Sequence, residues 1–195
     1  MARLAPHHEL TVPQESILLR VNRTLAQSPE FERLCVDVVG NHRLSLRTLD
    51  WLVTNFAKRT ALRIQGPDGR SVYVHDAYRA GLAAFRRRHF DPFCRAQRRT
   101  GDGRRVSEYA TLHCVDGKTL QTCISQLNFM EWAYRHGVLA YAMEHEAVIV
   151  SDMNRVAASQ RKRRRDDADY RRTELSQAPR AMCHAYSVDV CVTVP

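Results

Sequence analysis

Arginine is the residue type whose placement in this chain could do chemistry. Of 195 residues, 27 are Arg and only 3 are Lys. Residues 79–105 hold nine Arg against two acids, and residues 155–172 hold seven Arg and one Lys against three acids. The whole chain carries a formal net charge of +9, so the remainder is slightly acidic. A guanidinium stays charged at any ordinary pH and presents a fork of donors that matches phosphate geometry. Positive charge gathered into two windows predicts a polyanionic partner, in the simplest case DNA or RNA. GC-rich codon usage accounts for choosing Arg over Lys, but it does not concentrate charge.

The first window places Arg86, Arg87 and Arg88 at the expected end of a helix. Arg95, Arg98, Arg99, Arg104 and Arg105 follow in an expected loop. Three consecutive Arg exceed what a helix C-terminus needs to meet its dipole, an interaction of roughly 0.3–1 kcal/mol per charge. Backbone phosphates require charge and no base-specific geometry, so these eight side chains are read as a phosphate-binding patch. Phe90, Phe93 and Tyr109 are interleaved with them, as rings for base stacking or as anchors of the loop to the core. The second patch is Arg161, Lys162, Arg163, Arg164 and Arg165. It reads as a phosphate contact or nuclear-import address, against a solvated linker neutralised by Asp166, Asp167 and Asp169.

Other reactive residue types give weaker patterns. The six cysteines include no CxxC pair and are expected as buried or free thiols rather than a disulfide framework. His89, Cys94, His113, Cys114 and Cys123 can all ligate zinc. Their spacing matches no zinc finger or ribbon, and adjacent residues such as His113 and Cys114 point to opposite faces of a strand. No metal or cofactor is therefore expected. Cys94 with His89 or His113 supplies the inventory of a thiol dyad, though not its geometry. G-x-S-x-G, Walker A, dinucleotide-binding and HExxH motifs are all missing. Glu131, Glu144, Glu146 and Asp152 read as solvated helix positions.

The elements that must position these residues follow from periodicity and punctuation. Residues 1–13, with Pro6 and Pro13, read as a flexible lead. Glu15–Ala26 is an expected helix, Leu34–Val39 an expected strand, and Ser45 an N-cap for a helix over Leu46–Lys58. Ala61–Ile64 and Ser71–Val74 flank Gly66-Pro-Asp-Gly69 as a hairpin. Asp76 is expected to cap a helix over Ala77–Arg88, and Thr100–Gly103 is a loop. Tyr109–Val115 is a strand, Thr119–His136 a helix, and Val138 to beyond Met153 a second helix. The apolar start of that last helix, Val138–Met143, suits core packing and argues against a helix-turn-helix reader around Gly137. Tyr186–Val194 alternates and is expected to pair beside Cys35–Val39.

Two stretches carry a resemblance. They are His89-Phe-Asp-Pro-Phe-Cys-Arg95 and Thr119-Leu-Gln-Thr-Cys-Ile-Ser-Gln-Leu-Asn-Phe-Met-Glu-Trp-Ala133, the latter continuing to Gly137-Val-Leu-Ala-Tyr141. With the basic run and a short closing strand, they resemble an uncharacterised family of small basic proteins of nucleocytoplasmic large double-stranded DNA viruses. The resemblance implies a viral setting, in which a genome must be transcribed, folded and packaged. It implies no activity and assigns no functional residue.

These readings combine into an α+β protein of one domain. Three to four helices pack on a small mixed or antiparallel sheet, with a basic flexible segment near the C-terminus. The expected divisions are the lead at 1–13, the globular domain at 14–160, a basic linker at 161–180, and a returning strand at 181–195. The expected function is non-catalytic, sequence-tolerant nucleic-acid binding through the two patches. Alternatives are a structural or virion assembly protein whose Arg patches meet acidic protein surfaces, and a small thiol- or metal-dependent enzyme. No apolar run approaches the roughly 18 residues of a membrane span. The expected location is therefore intracellular, in the host nucleus or the virion, with no membrane partner.

Overall fold

The computed structural model describes residues 2–66, 69–95 and 97–166. Met1–Ala157 forms one compact unit, and Ala158–Pro195 forms a second, of which the described part is helical. The chain is α+β, with helices accompanied by three small antiparallel sheets.

The N-terminal residues are regular, which corrects the expected lead. Arg3–Pro6 is strand β1, with Ala2 and Leu4 buried. Pro13 sits in the first turn of helix α1 (Val12–Gln27), where a missing N–H costs nothing. Ile17, Val21 and Leu25 form the buried stripe of α1. Leu34–Val39 is not a strand. It ends helix α2 (Pro29–Val39), in which Ser28 accepts from the Phe31 N–H at 3.1 Å and Pro29 opens the first turn. Phe31, Leu34, Cys35 and Val38 are spaced for a helix face, a signal masked by the β-branched run at its end. A helix there also removes the strand beside which Tyr186–Val194 was expected to pair; that segment lies outside the described residues.

Ser45 does cap helix α3 (Leu46–Trp51), accepting from Thr48 N–H at 3.0 Å. A π-helical turn (Leu52–Phe56) and helix α4 (Ala57–Thr60) continue it. Strands β2 (Arg63–Gln65) and β3 (Ser71–Tyr73) form the expected hairpin. Helix α5 (Val74–His89) starts two residues before the expected Asp76 cap and leaves helical geometry at Arg86.

Residues 97–107, expected as an open loop around Thr100–Gly103, are instead a ribbon. Strands β4 (Gln97–Arg99) and β5 (Arg105–Ser107) pair with each other in a sheet of their own. Strand β6 (Ala110–His113) is central in the third sheet, between β1 and β7 (Thr119–Thr122). Thr119–Thr122 was expected to open a helix. Its residues extend the sheet, and Cys123 is the N-cap of helix α6 (Ile124–Arg135). Every residue of α6 from Ile124 to Ala133 is buried, with α1, α2, α5 and α7 (Val138–Glu144) around it. Val138, Leu139 and Ala142 of α7 are core residues, as their apolar character predicts. Helix α8 (Glu146–Asp166) follows a break at His145, so the expected continuous helix from Val138 is two. The expected basic linker is helical through Asp166, and 167–180 lies outside the described residues.

Candidate nucleic-acid interface

A helix buried on all sides should be apolar on all sides. Helix α6 instead carries Ser125, Gln126, Asn128 and Glu131, each at most 4% exposed. Their partners explain them, because burying such groups unpaired costs about 1–3 kcal/mol each. Asn128 Nδ2 donates to the His89 carbonyl at 2.6 Å, and Gln126 Nε2 donates to the Pro92 carbonyl at 2.5 Å. The Ser125 hydroxyl meets Cys123 Sγ at 3.1 Å, and the Ser125 carbonyl accepts the Asp91 N–H at 3.3 Å. Phe90 packs its ring on Phe129 and Trp132, at 5.4 and 5.5 Å between centroids. On the other side Phe90 meets α5 at Gly81, where a Cβ would lie 2.9 Å from the Phe90 ring. Cys94 is bonded to Cys123, with Cα atoms 5.8 Å apart. The two stretches that carry the resemblance are thus one structural unit, a corner (residues 89–95) fastened to the N-terminal half of α6.

The disulfide corrects the expectation of free thiols for these two cysteines; Cys35 and Cys114 are free and buried. Sequence separation of 29 residues concealed the pairing, since proximity is created only by the fold. The bond also removes Cys94 from a dyad with His89 or His113. Burial pushes the Cys35 thiol well above the ordinary thiol range, so it is no nucleophile.

Glu131 corrects another expectation. It is fully buried rather than solvated, and receives the Arg20 guanidinium and the Thr24 hydroxyl, the latter at 2.9 Å. Arg20 also donates to Asn128. Asp152 is likewise held, by Trp51 Nε1 at 2.9 Å, Arg155 at 2.7 Å and Arg59, and these donors keep its carboxyl below the usual carboxylate range against the opposing effect of burial.

The first arginine window divides into two kinds. Arg88 pairs with buried Glu108, which also accepts from Gln14 Nε2 at 3.0 Å. Arg95 wraps buried Asp91, which accepts the Arg95 backbone N–H at 2.8 Å and its Nε at 3.1 Å. That hydrogen bonding raises the Arg95 pKa further and engages both Asp91 oxygens. Arg104 makes an exposed pair with Asp102 at 3.3 Å, screened by the surrounding water. Arg86, Arg87 and Arg99 are exposed and enter no ion pair among the described residues. Arg98 and Arg105 are known by their strand positions alone. In α8, Arg161, Lys162 and Arg163 are exposed, while the side chains of Arg164 and Arg165 are outside the described set.

Arg87, Arg88, Asp91, Arg95 and Gln97 line an open cleft of about 380 Å³. Behind it, Tyr78 has its phenol pushed up to about 12, by burial and then by the Asp50 carboxylate. Burial likewise raises Asp50, with Arg95 opposing and Asp91 reinforcing. His89 is shifted below the ordinary imidazole range by burial and by Arg88 and Arg86. A neutral His89 among these cations spares the patch a further self-repelling charge. Among the interleaved aromatics, Phe90 is core and unavailable for stacking. Phe93 and Tyr109 are 36% and 40% exposed, but the Arg95 guanidinium lies 5.1 Å over the Phe93 ring.

Sequence reasoning named the arginines and missed what anchors them: Asp91, Glu108, Gln126, Asn128 and the Cys94–Cys123 bond. A signal was present for α6, whose apolar residues Ile124, Leu127, Phe129, Met130, Trp132 and Ala133 cover every face and leave no solvated side for its polar residues.

Comparison with known proteins finds a family model and a viral relative. Residues 9–183 match the model of the Family of unknown function (DUF7197). The uncharacterized protein L507 of Acanthamoeba polyphaga mimivirus is 28% identical over 131 residues, which are 65% of this chain and 48% of that protein. The chain therefore spans about half the length of that relative. No solved structure matches. Among the described residues, no helix is long and apolar enough to cross a membrane.

Proposed function

The chain belongs to the Family of unknown function (DUF7197), and for this member we propose sequence-tolerant nucleic-acid binding by arginines that neutralise phosphates. The activity is non-catalytic, and the setting is a virus-infected cell, in the host nucleus or the virion. One observation carries the reading: Arg87, exposed and with no carboxylate partner among the described residues, shares an open cleft with Arg88 and Arg95, while Arg86 and Arg99 are likewise exposed and unpaired there. Arg88 and Arg95 are oriented by buried acids, yet keep side chains 51% and 48% exposed. They can accept a phosphate on their outer edge without giving up the inner partner. The cations of α8 at Arg161, Lys162 and Arg163 add a second set of phosphate contacts in the same chemical mode.

A salt titration of the full chain against DNA, RNA and an acidic protein tests the proposal. Neutralising six to ten phosphates makes affinity fall about 10³–10⁵-fold between 50 and 200 mM salt. Binding to nucleic acid with that steepness is the expected result. Binding to the acidic protein alone overturns it in favour of an assembly role.

A further inference from the structure

We propose that the β4–β5 ribbon is an arm that enters the major groove of duplex DNA, a reading that rests on the nucleic-acid-binding function proposed above. A two-stranded ribbon this short is marginally stable by itself. Its own residues make that worse: Arg99 is the direct cross-strand partner of Arg105, and like charges placed opposite destabilise a pair of strands. Nothing apolar compensates. The ribbon's single apolar strand residue, Val106, is 41% exposed, and Gln97 faces Ser107 in the register. Among the described side chains, packing therefore adds nothing to the tight tip that sets the ribbon's register, whereas a polyanion on both sides of it would.

Its shape fits one such polyanion. Strands lie about 4.8 Å apart, and the B-form major groove, roughly 12 Å wide and 8.5 Å deep, admits a two-stranded ribbon. From Gln97 to the tip the ribbon reaches roughly 17 Å at about 3.3 Å per residue, enough to cross that depth. The tip is compact: Thr100 N–H donates to the Arg104 carbonyl at 2.9 Å, and Gly103 N–H to the Thr100 carbonyl at 2.8 Å. Neither Gly101 nor Gly103 has any atom where a Cβ would touch it, so the tip stands in open space. Gln97, Thr100 and Ser107 add donors and acceptors that can meet base edges or phosphates without demanding one sequence.

Other nucleic acids fit less well. A single strand is held by successive exposed rings, and the ribbon has none. Of the rings near it, Phe90 is buried, Phe93 is covered by Arg95, and Tyr109, 40% exposed, stands without a neighbouring exposed ring to continue a stack. The major groove of an RNA duplex is deep and too narrow for side chains to read.

The full chain is titrated with a 20-base-pair DNA duplex, one of its single strands and the matching RNA duplex. Tightest binding to the DNA duplex, by tenfold or more, is the expected result. In the variant Arg98→Ala, Arg99→Ala, Arg104→Ala, Arg105→Ala, the slope of log affinity against log salt should shrink for that duplex by about 0.9 for each phosphate no longer neutralised. The single change Arg104→Ala, at a side chain 83% exposed, leaves folding untouched and should shrink the slope by one such step. Equal binding of duplex and single strand, preference for the RNA duplex, or unchanged slopes in the folded variants overturn the groove assignment and leave the broader function standing. Failure of all three nucleic acids to bind overturns both.

Discussion

The α6 corner and the β4–β5 ribbon use the same residue type in opposite ways. At the corner and on α6, each guanidinium meets a carboxylate that is almost or fully out of water: Arg95 on Asp91, Arg20 on Glu131, Arg88 on Glu108. Backbone carbonyls of the corner are taken up by Asn128 and Gln126, and a covalent bond closes it. On the ribbon, arginine stands opposite arginine, and the described acid, Asp102, is itself exposed. Charge at the corner is a construction material; charge on the ribbon is what the proposed function assigns to phosphates outside the chain. A count of arginines merges the two, and only the burial of the partner carboxylate separates them.

If that distinction holds, breaking the inner set must cost stability rather than binding. The largest effect belongs to Glu131. Replacing it with Gln leaves Arg20 facing a neutral partner in a dry site and removes the charge that Thr24 and Arg135 also address. Loss of one partner of a fully buried pair costs about 3–5 kcal/mol, and because Arg20 keeps 30% of its side chain in water the lower end, about 3 kcal/mol, applies. Urea unfolding of Glu131→Gln should show a loss of that size. A loss under about 1 kcal/mol would mean that Glu131 is solvated in the native ensemble and that the contrast is misdrawn.

The covalent bond is the next largest test. Cross-linking residues separated by 29 positions restricts the unfolded chain and contributes about 2–4 kcal/mol. Unfolding with and without a dithiol reductant should differ by that amount in the native protein, and by nothing in Cys94→Ser, Cys123→Ser. Nucleic-acid affinity sharpens the reading. The corner retains its hydrogen bonds to α6 after reduction, so affinity should fall far less than stability. A reduced protein that binds normally while unfolding earlier places the bond with the construction material.

These tests bear on why some of the molecule was legible in its sequence and some was not. Signals that act within a few residues were read correctly: Ser45 as a cap, the pairing of β2 with β3, the apolar face beginning α7. Leu34–Val39 misled because Val36, Val38 and Val39 give a strand-like run, whereas Ser28-Pro29 upstream had already committed the chain to a helix. Thr119–Thr122 misled in the reverse sense, since its extended conformation depends on pairing with β6 and not on its own composition. The arginine positions were legible as chemistry. Their division into held and unheld was not, because Asp91, Glu108 and Glu131 become partners only through burial that the fold creates. Among the described residues, the ribbon is the least sequence-determined element: nothing in Gln97–Ser107 alternates, and its register follows from the tight tip at Thr100–Arg104.

Arg86 lies between the two regimes and gives the finest test. Its side chain is exposed and enters no ion pair among the described residues, like that of Arg99 on the ribbon, yet its backbone is held at φ 58°, ψ 159°, a region that is almost exclusively glycine's. Non-glycine residues there carry about 1–3 kcal/mol of strain. Glycine gives back part of that gain through its freer unfolded chain, about 0.5–1 kcal/mol. Arg86→Gly should therefore raise stability by about 1 kcal/mol, while Arg86→Ala, which keeps the strained backbone, should stay within about 0.5 kcal/mol of the native protein. Both remove one cation, so both should weaken DNA binding alike and reduce the salt slope by about 0.9. Stability that separates the two variants, with affinity that does not, assigns the strain to the fold and the charge to the partner. An Arg86→Gly protein no more stable than Arg86→Ala would remove the strain from the account. Weakened binding in Arg86→Gly alone would show that the backbone conformation, and not the guanidinium, is what the nucleic acid requires.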